Sequence, residues 1–114
     1  MDPFDVLVVG GNGRVGASTV RWLDRLSRRS FEGLLPLRLA IGGRSAASFE
    51  AAKKRLNLDE LVFVPVDLDG DRETVSAAVG AAQLVVHTAG PFQGRSDPQL
   101  LRACIAAGVP YCDV

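Results

Sequence analysis

Short apolar runs alternate with longer amphipathic ones along the chain, and no internal repeat or low-complexity segment interrupts them. The first run, residues 5–9, is nearly all apolar (Val6, Leu7, Val8, Val9), as expected of a strand covered on both faces. Residues 13–27 come next, with Val15, Thr19, Val20, Leu23 and Leu26 at helical spacing. That spacing predicts a helix burying those residues, with Arg21, Asp24, Arg25 and Arg28 outside. After Pro36 comes a second strand over 37–41. A second helix starts near Ser45, a suitable N-cap, and buries Phe49, Ala52 and Leu56. The third strand, 61–66, contains Pro65, which cannot donate to a ladder and so marks a sheet edge or a strand end. A third helix begins around 69–71 and buries Val75, Ala78 and Val79; a fourth strand covers 84–87. The fourth helix has the fullest punctuation: Asp97 as N-cap, Pro98 in the first helical position, and Gly108 with Pro110 at the close. Tyr111-Cys112-Asp113-Val114 reads as the start of a fifth strand.

Strands alternating with helices over short connections predict an α/β fold with a parallel, doubly wound sheet of the Rossmann type. The expected strand order is 3-2-1-4-5, which puts the Pro65 strand at an edge. Folds of this kind usually continue past a fifth strand, so the chain is expected to be a truncated piece of a longer protein.

With 114 residues there is room for one domain. Hydrophobic residues make up 47% of it, and 13 Lys and Arg balance 13 Asp and Glu, which argues against disorder. The same neutrality argues against a nucleic-acid or anionic-membrane partner. The longest stretch without a charged residue, 74–94, is broken by Gly80, Gln83, His87, Gly90 and Pro91 and reads as a helix end, a strand and a loop. The acidic N-terminus runs straight into the first strand, so no signal peptide is expected. Two cysteines are too few for a disulfide scaffold, and a reducing, cytoplasmic setting is the default.

Directly after the first strand stands Gly10-Gly11-Asn12-Gly13-Arg14-Val15-Gly16. Gly11, Gly13 and Gly16 fit G-x-G-x-x-G, and Gly10, Gly13 and Gly16 fit G-x-x-G-x-x-G. In a strand–turn–helix setting these glycines allow a tight turn, backbone approach to a diphosphate, and close helix–sheet packing. Amides at the helix start then face the phosphates. A kinase-type P-loop fails because it needs a lysine where Ala17 stands.

An NAD site usually carries a carboxylate at the end of the second strand. Here the strand leads into Gly42-Gly43-Arg44-Ser45, and none is present. A guanidinium at Arg44 and a hydroxyl or amide at Ser45 suit a 2′-phosphate, so NADP is expected and NAD less so. Asp67-Leu68 follow the third strand where such folds meet the adenine, although Asp67 equally suits a turn in Asp67-Leu68-Asp69-Gly70.

Val85-Val86-His87-Thr88-Ala89-Gly90-Pro91-Phe92-Gln93, together with residues 103–114, resembles the saccharopine dehydrogenase (saccharopine reductase-like) NADP-binding domain. The glycine turn and Gly42-Gly43-Arg44-Ser45 are similar to the same family, so the resemblance covers essentially the whole chain. It implies hydride transfer with NADP(H), typically at a carbon–nitrogen bond of an amino-acid or imine substrate. It also implies that the backbone at Ala89, Gly90 and Pro91 lies along the ribose and nicotinamide. Family enzymes carry a further substrate-binding and dimerisation domain that is absent here. The expectation is therefore cofactor binding without appreciable turnover, and a possible homodimer only in a longer protein.

The remaining chemistry is sparse. His87 is the only histidine and reads as a hydrogen-bonded packing residue, so no metal site is expected. Cys104 and Cys112 read as buried small hydrophobes. The basic runs Arg25, Arg28, Arg29 and Lys53-Lys54-Arg55 lack interleaved aromatics and read as solvated helix faces. Arg14 either reaches the diphosphate or caps the sheet edge. The loop 92–96 is expected to order over the nicotinamide when ligand binds. A short-chain dehydrogenase is disfavoured because no Tyr-x-x-x-Lys pair occurs. An alternative from another class is a non-catalytic dinucleotide sensor acting on a partner protein. A long α+β extension encoded after Val114 in the natural gene favours the enzyme, and a stop codon or an unrelated domain there favours the sensor.

Overall fold

The apolar run predicted first becomes β1 (Phe4–Val9), in which Leu7 and Val8 are fully buried. It sits at the centre because both its edges are paired. Val6 to Val9 face Leu39 to Gly42 of β2 (Leu39–Gly43) on one side, and Leu84 to His87 of β4 (Ala82–His87) on the other. The computed structural model describes residues 2–30, 36–89 and 97–114. Among these, β3 (Val62–Pro65) and β5 (Tyr111–Asp113) complete a parallel five-stranded sheet in the order β3-β2-β1-β4-β5, as expected, with Pro65 in an edge strand.

Alternation along the strands divides the core in two. Val6, Val8, Ile41 and Val86 face α1 (Arg14–Ser30) and α2 (Ala46–Leu56), packing with Val20 and Phe49. Leu7, Val9, Ala40 and Val85 face α3 (Arg72–Gly80) and α4 (Gln99–Ala107), packing with Val75, Val79, Leu100 and Cys104. The chain covers one face, crosses over after β3 and covers the other. That reversal opens a crevice beyond the ends of β1 and β4, where doubly wound folds bind ligands.

Four expectations need correction. The helix after the glycine turn is rotated from its predicted phase: Val15, Trp22 and Leu26 are about half exposed, whereas Gly16, Val20, Asp24 and Ser27 are buried. The cause is Gly16, which must face the turn, so positions four, eight and eleven residues later turn inward with it. Buried Asp24 is accommodated by Arg28, whose Nε donates at 3.0 Å. β2 runs on through Gly42 and Gly43, which pair with Val64 and Pro65. A side chain at 42 would crowd Val66 and Leu7 at 3.1 and 3.3 Å, so that glycine makes room between strands. The N-cap of α4 is Pro98, not Asp97, with no side-chain cap bond. Asp97 instead pairs with Arg102 at 3.0 Å and Arg72 at 3.6 Å. Cys104 is buried as expected, but Cys112 on the outermost strand is exposed.

β2 starts at Leu39 rather than 37, β3 is one residue shorter at each end, and β4 starts two residues earlier, at Ala82, while the helix ends at Ser45, Asp71 and Gly108 hold. Ser45 caps α2 through a bond from the Ser48 amide (3.1 Å), Asp71 caps α3 through the Glu73 amide (2.9 Å), and Gly108 ends α4 at positive φ. No helix among the described residues is long and apolar enough to cross a membrane.

Candidate functional site

The site begins where β1 ends. Gly10 has φ +88°, a conformation that strains any side-chain-bearing residue. Its amide donates to Gly42 O at 2.9 Å, and its carbonyl accepts from the Gly13 amide at 3.0 Å. A Cβ here would stand 2.7 Å from the Ala89 amide nitrogen. Ala89 comes that close because Thr88 fastens the end of β4 to β1: its amide and its Oγ1 both donate to Val9 O at 2.8 Å. Thr88 lies in the stretch that carries the family resemblance, but nothing in the sequence assigns it this role. A hydroxyl at a strand end is a common residue, and its partner lies 79 positions away.

The turn lies directly against the first turn of α1. A Cβ on Gly16 would overlap the Gly10 carbonyl oxygen and approach Gly11 Cα to 2.6 Å. Gly13 has only that carbonyl near it, at 3.4 Å, and is exposed. Arg14 and Val15 are exposed beside it, and the first turn of α1 contains no acidic residue. Helix-start amides lack intrahelical partners. The arrangement is therefore bare backbone at a positive helix end, which suits an anion.

A cleft of about 250 Å³ opens between the ends of β1, β2 and β3, lined by Gly10, Gly43, Arg44, Asp67, Leu68 and Ala89 among others. Larger hollows of about 550 and 660 Å³ lie along α2 and beside α1. The first sits on an outer helix surface away from the strand ends, and the second begins at Arg14 and Val15 and runs out along the exposed side of α1, so chemistry rather than volume marks the site. Arg44 and Ser45 are exposed at one rim of the cleft. Ser45 Oγ accepts from Ser48, which leaves its own hydrogen to donate. At the opposite rim Asp67 is a turn residue, its Oδ1 accepting from the Asp69 amide at 3.0 Å, and it lines the cleft as well. Leu68 packs against the α3–α4 core.

Asn12 sits between the glycine turn and this corner. Its Nδ2 lies 3.1 Å from where a Gly43 Cβ would stand, and its Oδ1 is buried without a hydrogen-bond partner among the described residues. Thus Gly10, Gly11, Asn12, Gly13, Arg14, Val15, Gly16, Gly43, Arg44, Ser45, Asp67, Leu68 and Ala89 all fall at the strand ends. Gly90 and Pro91, with the loop 92–96, lie outside the described residues.

A hydrogen-bonded file closes the α3–α4 side of the crevice. Tyr111 Oη donates to Asp113 Oδ2 at 2.9 Å and lies 3.0 Å from His87 Nδ1. The phenol has one proton and gives it to the carboxylate, so the His87 bond requires Nδ1–H as donor. Buried His87 is hydrogen-bonded, as expected. Burial, and then the bond to Asp113, raise the Tyr111 pKa well above its ordinary value near 10.0. The unfolded chain therefore loses this proton first. The file's contribution to stability is intact below about pH 10 and declines as pH rises above it. Thermal unfolding midpoints should consequently fall across that range, and Tyr111→Phe should flatten the fall while lowering the neutral-pH midpoint. An unchanged alkaline slope in the variant would remove Tyr111 as the cause.

Among the described residues no group of three or more His, Cys, Asp or Glu side chains can hold a metal ion. The residues present do fit a dinucleotide with an extra phosphate: bare backbone at a helix start, a carboxylate-free corner carrying Arg44, and an unsatisfied buried acceptor at Asn12.

Residues 6–114 match the model of a family described as the saccharopine dehydrogenase NADP binding domain. No curated protein matches the chain. Solved structures with the same fold include Pen from Bacillus thuringiensis (17% identity, TM-score 0.70, 95% of this chain and 35% of that one). Vestitone reductase from alfalfa, Medicago sativa, is similar at 18% identity and TM-score 0.66, over 96% of this chain and 35% of that one. Yeast methylglyoxal/isovaleraldehyde reductase, complexed with NADPH, is similar at 17% identity and TM-score 0.59, over 90% and 33%. The chain spans about a third of the length of these structures.

Proposed function

The chain belongs to the saccharopine dehydrogenase NADP-binding domain family, and we propose that it holds the cofactor in a longer oxidoreductase acting on a carbon–nitrogen bond of an amino-acid or imine substrate. The observation that carries the cofactor half is the pairing of a bare glycine turn with an arginine–serine corner where NAD sites place a carboxylate. On this reading the amides from Gly11 to Gly16 and the start of α1 bind the diphosphate, with Arg14 at its edge. Arg44 and Ser45, on the Gly43 corner, bind the 2′-phosphate. Asp67 and Leu68 border the adenine, and Ala89, Gly90 and Pro91 run along the ribose and nicotinamide.

When bound, the nicotinamide supplies or takes a hydride. This chain's own residues bind and orient it: the Gly10–Ala89 contact sets the floor of the crevice, and the His87–Tyr111–Asp113 file fixes the wall beside it. Hydride transfer also requires an acceptor held in place with water excluded. The greater length of the similar structures supports a separate substrate domain for that task, and a homodimer would be built through it. A reducing, cytoplasmic setting belongs to the same proposal, supported by the unpaired Cys104 and Cys112.

The test is thermal unfolding and titration calorimetry with both dinucleotides. A ligand at one hundred times its Kd stabilises by about 2.7 kcal/mol, so NADP⁺ should raise the midpoint by roughly 10 °C and NAD⁺ by less. No turnover of imine substrates should accompany it. Absence of binding would overturn the cofactor assignment, and brisk catalysis by these 114 residues would overturn the separate substrate domain.

A further inference from the structure

We propose that Arg55, near the end of α2, is a second guanidinium for the phosphate on the adenosine ribose, opposite Arg44; this rests on the cofactor reading above. The basic run Lys53-Lys54-Arg55 reads in the sequence as a solvated face, and the structure separates its members. Lys53 lies over the Phe49 ring at 5.8 Å. Arg55 reaches back across 43 residues, and its Nη2 donates to the Asn12 carbonyl at 3.5 Å. One bond of that length engages one of five N–H donors and leaves the rest for an anion.

Asn12 makes the connection spatial. Its main chain meets Arg55, while its side chain touches Gly43, the residue before Arg44. Asn12 therefore meets Arg55 on one side and, on the other, the residue that precedes Arg44 in the chain. Its buried Oδ1 has no partner among the described residues, and the free 3′-hydroxyl of a ribose phosphorylated at the 2′ position is a suitable donor to it. Charge points the same way. Arg28, Arg38, Arg72 and Arg102 each pair with an aspartate; among the described residues Arg44 and Arg55 do not, nor do Arg14, Arg21, Arg25 and Arg29, so it is the link through Asn12 and Gly43 that singles out these two. A cation on the turn at Asn12 and another at the adjoining β2 corner suit a dianion between them better than a plain ribose hydroxyl.

The experiment is titration calorimetry of the chain, Arg55→Gln and Arg55→Lys with NADP⁺, NAD⁺ and adenosine 2′,5′-bisphosphate. Arg55→Gln should weaken NADP⁺ and the bisphosphate by about tenfold and change NAD⁺ by less than about twofold, and Arg55→Lys should recover part of the loss. Equal losses for NADP⁺ and NAD⁺ would mean that Arg55 only braces the turn, and would overturn the proposal. So would unchanged binding of all three. A wild-type chain that does not distinguish NADP⁺ from NAD⁺ would overturn the parent reading and this inference together. A discriminating wild type with an indifferent Arg55→Gln would overturn this inference alone.

Discussion

Gly16→Ala should lower the unfolding midpoint by roughly 10 °C and weaken NADP⁺ and NAD⁺ alike by at least about tenfold. In an isolated helix the change would help, because alanine outranks glycine by about 1 kcal/mol. Here the added methyl overlaps the Gly10 carbonyl oxygen and sits 2.6 Å from Gly11 Cα. These are backbone atoms of the turn, and the turn has nowhere to go. Gly10 is held at φ +88° by its bond to Gly42 O and by the close approach of Ala89 on the other side. The helix must therefore move off the sheet, opening the packing around Val20 and Phe49. Overpacking of this kind costs about 1–3 kcal/mol, and each kcal/mol moves the midpoint of a domain this size by about 4–8 °C. Displaced helix-start amides no longer meet the diphosphate, which both dinucleotides share, so both affinities fall. Gly80→Ala is the control: nothing lies within 4 Å of its added methyl, and it should be neutral or slightly stabilising. A Gly16→Ala chain that melts with the wild type and binds NADP⁺ normally would refute the packing argument.

The same glycine explains what was legible in the sequence and what was not. The cap at Ser45, the start of α3 near Asp71 and the ending at Gly108 follow from local chemistry, which is visible in one dimension, and the strand order follows from the alternation of strands and helices in a doubly wound fold. The phase of α1 is not local. Val15, Trp22 and Leu26 form an apolar stripe as regular as the buried one, and periodicity alone cannot choose between them. Close contact at Gly16 chooses, and it puts Asp24 and Ser27 inside, where Arg28 and the Asp24 carbonyl satisfy them. Gly42 and Gly43 likewise read as lying beyond the strand, because a strand glycine reveals its purpose only when Leu7 of β1, Val66 just after β3 and Asn12 of the glycine turn pack beside it.

The candidate site divides along the same line. Its backbone part and Arg44 form contiguous motifs, and they were legible. Thr88 and Arg55 reach their partners across 79 and 43 residues, and neither the family-like stretch around Thr88 nor the basic run around Arg55 reveals those partners. Pro98 shows the opposite failing. Asp97-Pro98 has the composition of a capped helix start, but the helix begins one residue later and the Asp97 carboxylate faces Arg102 of α4 and Arg72 of α3.

Arg44→Ala should weaken NADP⁺ by about tenfold while leaving NAD⁺ within about twofold of wild type. Arg44 stands exposed at the rim of the cleft and has no ion pair among the described residues, so its removal disturbs no packing. Stability should stay within about 0.5 kcal/mol, as at other surface positions without special contacts. A charge-assisted hydrogen bond contributes about 1.5–3 kcal/mol, and solvent at an open rim draws that toward the lower figure, which corresponds to about tenfold. Phosphate binding at an exposed corner is also screened by salt, so the wild-type preference for NADP⁺ should shrink as ionic strength rises. The variant should show a shallower dependence, since one of the two proposed cations is gone. Ser45 must keep capping α2 in this comparison, and the unchanged midpoint verifies that it does. Calorimetry with both dinucleotides at low and high salt reads all of these quantities from one preparation. Equal losses for NADP⁺ and NAD⁺ would locate Arg44 at the shared diphosphate, and no loss for either would return it to solvent.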